Sequence, residues 1–172
     1  MAVAPQKSSS REIDEEQIDM GVQAPLRLRG EDTYLSSAAL VELSLRNHVC
    51  FSLLRTEHGM AFHLGTIVRT MFASFFLFEA GLGKGEMNTF TEVDMTLGEV
   101  ALRVHANGPC SLSLEAVNST AKLLKLYDSQ LQSSSLKAVI EAHQRAEQNF
   151  RKPTHERLSI AALVQRSRRR FR

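Results

Sequence analysis

Leucine and arginine alternate in Leu26-Arg27-Leu28-Arg29, and no other stretch of the chain points as directly at chemistry. On a strand, the period of two puts both leucines on one face and both guanidiniums on the other. A strand this short cannot satisfy its own backbone hydrogen bonds and needs a partner. Antiparallel pairing with a second copy gives a two-stranded ribbon that displays Arg27 and Arg29 twice over. Such a ribbon fits the DNA major groove, where arginine bonds bidentately to guanine O6 and N7. The competing reading is a surface strand or coil with two solvated arginines. A second basic feature lies at the other end: residues 145–172 carry nine Lys and Arg against Glu147 and Glu156, a net of +7, whereas residues 1–20 carry −3. Arg166, Arg168, Arg169 and Arg170 therefore form an electrostatic footprint for a polyanion, or else a solvated tail.

Other constellations fall short of a reactive site. His58 and His63 are five apart, which does not place them on one helix face, and no third ligand stands near them, so no metal is expected. Glu141, His143 and Glu147 share one helix, but a single histidine on an apolar stripe reads as a satisfied core residue. Gly81-Leu82-Gly83-Lys84-Gly85 lacks the spacing of a phosphate loop and reads as a helix stop. There is no G-x-S-x-G, no nucleophile with a placed base and no carboxylate cluster. The expectation is a protein that is not an enzyme and carries no cofactor. Asn118-Ser119-Thr120 fits a glycosylation acceptor pattern by coincidence on a cytosolic helix.

The elements that must position these residues are mostly helical. At 172 residues, with 43% hydrophobic and 23% charged residues, the chain can bury one core of ordinary size. The absence of Trp and the presence of only four Pro favour helices over a sandwich, and two cysteines outside any C-x-x-C pair fit a reducing, cytoplasmic setting. The start of the chain is polar and acidic without an apolar stretch, which is wrong for secretion. The longest charge-free run in the apolar segment, 70–78, is too short to span a bilayer, so no membrane is expected.

Residues 1–24 read as a disordered polar arm, residues 25–165 as a helical domain with an N-terminal ribbon, and residues 166–172 as a basic tail. Ser36 or Ser37 is the N-cap candidate for a helix ending at Leu54, with Val41, Leu45, Val49 and Leu53 spaced by four and a second series, Leu40, Leu43, Cys50 and Leu54, widening its apolar face. Residues 55–59 make a turn. Met60, Leu64, Ile67, Met71, Phe75 and Phe78 then set the strongest helical period, apolar on other faces too, which makes this helix central to a core or a dimer. A loop is expected over 84–92, and Thr96-Leu97-Gly98-Glu99 fits a capping box that starts a short helix running to His105. Asn107-Gly108-Pro109 ends it. Cys110 to Leu114 is a second strand candidate or the approach to a helix over 115–131. A further helix carries Leu136, Ile140, His143 and Phe150, and Thr154 can cap a last short one.

Strand, helix, tight turn and helix over residues 26–80 resembles the order of parts in ribbon-helix-helix DNA-binding proteins. That resemblance implies that Arg27 and Arg29 read bases and that Arg55, Thr56 and His58 in the turn meet the DNA backbone. A second such order, over 110–150, offers Ser111 and Ser113 with Ser133, Ser134 and Ser135, which are weaker base readers. The whole arrangement also resembles AcaB-type regulators of conjugative and integrative elements. The expectation is a mainly α, ribbon-helix-helix-like homodimer binding double-stranded DNA as a transcriptional regulator. The alternative is a helical adaptor or structural component of a transfer or secretion apparatus, using the helix over 60–78 as a protein interface and the basic tail for an acidic partner.

Overall fold

The computed structural model describes residues 33–170, and what it describes is helical. Six α-helices follow in order: α1 Ser37–Leu54, α2 Ala61–Glu79, α3 Met87–His105, α4 Leu114–Ser133, α5 Leu136–Phe150 and α6 Ile160–Arg170, with one 3-10 turn at Thr154–Glu156. Four of the helices start on a serine that accepts a hydrogen bond from a first-turn amide: Ser36 from Ala39, Ser113 from Ala116, Ser135 from Ala138 and Ser159 from Ala162, at 3.2, 3.2, 3.3 and 3.2 Å.

The expected β-ribbon is corrected by this fold: among the described residues there is no strand, only one isolated antiparallel bridge, Tyr34 with Ser135. Leu26-Arg27-Leu28-Arg29 lies outside the described residues. The second candidate, Cys110 to Leu114, is a linker whose one long-range backbone bond is Leu112 N–H to Leu54 O at 2.8 Å, after which Ser113 caps α4. Cys110 and Leu112 pack on the core where this segment crosses the end of α1, while Leu114 is exposed. In the same way the Leu136 amide bonds to Thr33 O, tying the approach to α1 across the α4–α5 junction.

α2 is the axis of the molecule. It packs against α1, α3, α4 and, most extensively, α5. Leu64, Ile67, Met71, Phe72, Phe75, Phe76 and Leu77 are all buried, as expected of a helix apolar on nearly every side. Phe90 of α3 fits between Phe75 and Phe78, with ring centroids 5.6 and 5.2 Å away. Among the described residues α2 is long and apolar enough to cross a membrane, yet most of it is enclosed by the other helices. That enclosure removes the broad protein interface expected along residues 60–78, of which Met60 and Phe62 stay exposed.

Two further expectations are corrected. α3 does not start at Thr96 but runs from Met87, so of the loop expected over 84–92 only 84–86 is loop and 87–92 is the first turns of the helix; Thr96 lies mid-helix and donates to Val93 O. Phe90, Val93, Leu97 and Val100 give the buried stripe that overrides the capping-box pattern. On α1 the two apolar series exchange roles: Cys50 and Leu54 are buried and Leu40 and Leu43 pack on the core, while Val41, Leu45 and Val49 face water. The turn after α2 is as expected, with Gly81 and Gly83 at φ of +81° and +85°, a region glycine reaches without penalty.

Candidate functional site

The turn joining α1 to α2 holds Arg55, Thr56 and His58, all exposed. Thr56 is occupied locally: its hydroxyl donates to Leu53 O at 2.8 Å and its oxygen accepts from the His58 amide at 3.2 Å. This closes α1 and holds the turn in one shape. At the start of α2, His63 Nδ1 accepts from the Met60 amide at 3.1 Å, so an imidazole at N3 reaches back to the N-cap amide, the part that Glu or Gln plays in a capping box. That contact places the neutral ring's proton on Nε2. Among the described residues no group of three His, Cys, Asp or Glu is placed to hold a metal.

The basic end is a helix. Ile160 is fully buried, Leu163 and Val164 pack on the core, and the Ile160 amide donates to Asp94 Oδ2 of α3 at 2.8 Å. Asn149 clamps the preceding segment from α5, its Nδ2 donating to Leu158 O and its Oδ1 accepting from Leu158 N–H, both at 3.0 Å. From this anchored half α6 runs on through Arg166, which is exposed, to Arg168, Arg169 and Arg170 in its last turn. Cations in a final turn are favoured by the partial negative charge on the helix's free carbonyls.

Much of the remaining C-terminal positive charge is engaged within the fold. Arg145 bonds to Glu79 at 2.9 Å and stacks 3.9 Å from the Phe76 ring centroid. Glu147 takes Arg69 on one oxygen and Arg151 on the other, at 2.8 and 2.9 Å. Burial would raise the Glu147 carboxyl, but hydrogen bonds from these two guanidiniums outweigh it and hold the group below the usual carboxylate range. Arg157 donates to Lys152 O at 2.8 Å and lies over the Phe150 ring. The +7 of the sequence therefore overstates the charge free to meet a polyanion.

A titratable pair sits where α1, α4 and α5 meet: His143 is the satisfied core histidine expected from the sequence, and its partner Tyr127 is what sequence reading missed. The Tyr127 hydroxyl and His143 Nε2 share a short hydrogen bond, and the charge of Arg46 acts on both. Burial, with Arg46 adding to it, pushes the imidazole down to about 4, while burial raises the phenol. Both groups are thus neutral at pH 7, the phenol donating and Nε2 accepting, which leaves the histidine's proton on Nδ1. The bond is a core polar contact. Nearby, His48 Nε2 meets Asp128 at 2.8 Å, and a depression of about 110 Å³ lined by Leu40, Ser44, Asp128, Leu131 and Gln132 lies beside it. It offers one carboxylate, already bonded to His48, beside the Ser44 hydroxyl. No spacing rule links Tyr127 to His143, which sit on different helices. Cys110 is raised by partial burial, which leaves its thiol poorly nucleophilic at neutral pH.

The structure thus places Arg55, Thr56 and His58 together in the turn and Arg166, Arg168, Arg169 and Arg170 together on α6. Arg27 and Arg29 lie outside the described residues. The chain matches no protein-family model, no curated protein and no solved structure.

Proposed function

We propose that this chain is a double-stranded-DNA-binding protein of regulatory type, with the arginine-bearing half of α6 as its phosphate contact. The observation that supports this reading is the division of α6: one half is buried and hydrogen-bonded into the core, and the other carries four arginines in five residues, beginning with an exposed Arg166. A guanidinium fixed on an anchored helix loses less freedom on meeting a phosphate than one on a free tail. The exposed turn residues Arg55 and His58 are additional backbone contacts on this reading. Arg27 and Arg29 are its candidates for base contact, through guanidinium chemistry toward guanine and with no two-stranded ribbon assumed.

The test is a fluorescence-anisotropy titration of the full chain against a pool of genomic fragments at two salt concentrations. Retention of a few fragments over the rest supports a regulator. Changing Arg166, Arg168, Arg169 and Arg170 to Ala should weaken binding to all fragments and flatten the salt dependence by about 0.9 for each phosphate no longer neutralised. Changing Arg27 and Arg29 to Ala should remove selectivity and leave nonspecific affinity largely in place. An unchanged salt slope in the α6 variant overturns that helix as the contact, and failure to bind any fragment overturns the reading.

The adaptor reading keeps one observation in its favour, the water-facing ridge of α1. Uniform binding that disappears at higher salt would favour it.

A further inference from the structure

Leu40 and Ser44 of α1 face Asp128, Leu131 and Gln132 of α4 across the depression of about 110 Å³ beside His48. That volume is far below the roughly 300 Å³ at which a cofactor or other large ligand is enclosed, so an occupant is one small group. Leu40 and Leu131 supply apolar walls, and each of the other three lining side chains brings an acceptor oxygen. His48 engages Oδ2 of Asp128 at 2.8 Å; among the described residues Oδ1 has no partner, and neither do the side chains of Ser44 and Gln132. We propose that the depression binds a primary alkylammonium group, its nitrogen held by Asp128 Oδ1, Ser44 and Gln132 and its carbon chain lying between the two leucines.

The chemistry of the lining selects this head group. An ammonium carries three donors on one compact cation and accepts nothing, which matches acceptor oxygens on three side chains. A guanidinium would lay its planar fork across both carboxylate oxygens, and His48 already takes one of them. A calcium ion needs about six to eight oxygens, more than one carboxylate and two neutral side chains supply. Ser44 and His48 lie one helical turn apart, but no hydrogen bond joins them, and the imidazole turns Nε2 to Asp128, so the three do not form a nucleophile with its base. The lining comes from both α1 and α4, so an occupied site ties the two helices together and stabilises the fold by mass action. The Asp128 side chain is 26% exposed, which screens its charge and sets the affinity at about millimolar. This inference does not depend on DNA binding.

The test is a titration of the full chain at pH 7 with n-butylammonium chloride, read by amide NMR, with sodium chloride holding the ionic strength constant. Saturable shifts at residues 40–48 and 128–132 are expected. Tetramethylammonium, equal in charge but without an N–H donor, should produce none of them, and ammonium chloride, which lacks the carbon chain, should bind more weakly. Asp128→Asn, which keeps the shape of the side chain, should weaken butylammonium about tenfold or more. Ser44→Ala, which leaves the contact of Asp128 with His48 alone, should weaken it about threefold with unchanged helicity. A lysine blocked at both its amino and carboxyl ends separates the two sources of such a group. If it binds as butylammonium does, the site takes a lysine side chain of a partner; if butylammonium alone binds, the site takes a free amine. Equal shifts from tetramethylammonium would mean that a surface carboxylate is merely screened and overturn the proposal. So would the absence of saturable shifts up to about 0.1 M butylammonium, or undiminished binding by Asp128→Asn.

Discussion

Tyr127 donates its hydroxyl proton to Nε2 of His143 and so joins α4 to α5 through two neutral titratable groups. Burial and the Arg46 charge bring the imidazole to about 4 in the folded chain, against 6.5 for an unperturbed histidine. Between those two values the unfolded chain binds a proton at His143 that the folded chain does not. The stability His143 contributes is therefore complete above pH 6.5, falls as pH drops, and is gone below about 4. The expected loss is about 3 kcal/mol across that window. Urea titrations at several pH values measure it, and His143→Gln should flatten the curve over the same interval. A wild-type curve already flat there would show that the imidazole is solvated.

Gln130 and Gly83 form a second dependent pair. The Gln130 amide accepts from the Ser74 hydroxyl at 2.6 Å and donates to Ser74 O and Leu82 O at 3.1 and 3.0 Å, all in the core. A Cβ on Gly83 would come within 2.6 Å of Gln130 Cγ at a backbone φ of +85°, whereas one on Gly81, at +81°, meets nothing within 4 Å. Gly81→Ala should cost about 1 kcal/mol from the backbone alone. Gly83→Ala should cost clearly more, because it also displaces the amide and leaves buried polar groups unpaired. Equal midpoints for the two variants in a denaturant titration would show that Gln130 yields without loss.

What the sequence made legible was period and punctuation. The spacing from Met60 to Phe78 marked α2, and Ser36, Gly81 and Asn107 marked ends that the structure keeps. What it could not show was which of two apolar series on α1 faces the core: Val41, Leu45 and Val49 have the more regular spacing, yet Cys50 and Leu54 are buried, because the choice is made by contacts with α2 and α4. The capping-box pattern at Thr96 failed for a similar reason, since the buried stripe of Phe90, Val93, Leu97 and Val100 extends the helix through it. Of the candidate site, the turn and the arginine cluster were legible as exposed charge. The pairing of Arg145 and Arg151 with carboxylates 66 and four residues away mixes a long-range contact, invisible in the chain, with a helical i, i+4 pair that was visible in principle.

Gly98 lies in the middle of α3 on its water-facing side, and a Cβ there meets nothing within 4 Å. It has a helical interior position with no turn or close approach to justify glycine. Gly98→Ala should stabilise the fold by about 0.8–1 kcal/mol, raising the midpoint of thermal unfolding by about 2–4 °C. A fall in the midpoint would mean that another surface covers this side of α3.

Asp94 and Ile160 join the core to the helix that carries the arginines, since the Asp94 carboxylate accepts the first amide of α6 at 2.8 Å. Burial raises the carboxyl above its ordinary value and the Ile160 amide pulls it back. A folded-state value above the unfolded one means that ionisation is resisted in the fold, so stability from this group is greatest at low pH and declines as pH rises through the folded-state value. Asp94→Asn keeps an oxygen for the amide and removes the buried charge, so at pH 7 it should be at least as stable as the wild type. Asp94→Ala leaves the amide unpaired and should cost about 1 kcal/mol, the usual worth of a cap. If α6 is the phosphate contact, Asp94→Ala should also weaken DNA binding, because the arginines lose their fixed support, and Asp94→Asn should not. Denaturant midpoints and anisotropy titrations on the same two variants separate the hydrogen bond from the charge. Equal destabilisation by Asn and Ala would mean that the negative charge at the start of α6, acting on its dipole, matters more than the hydrogen bond.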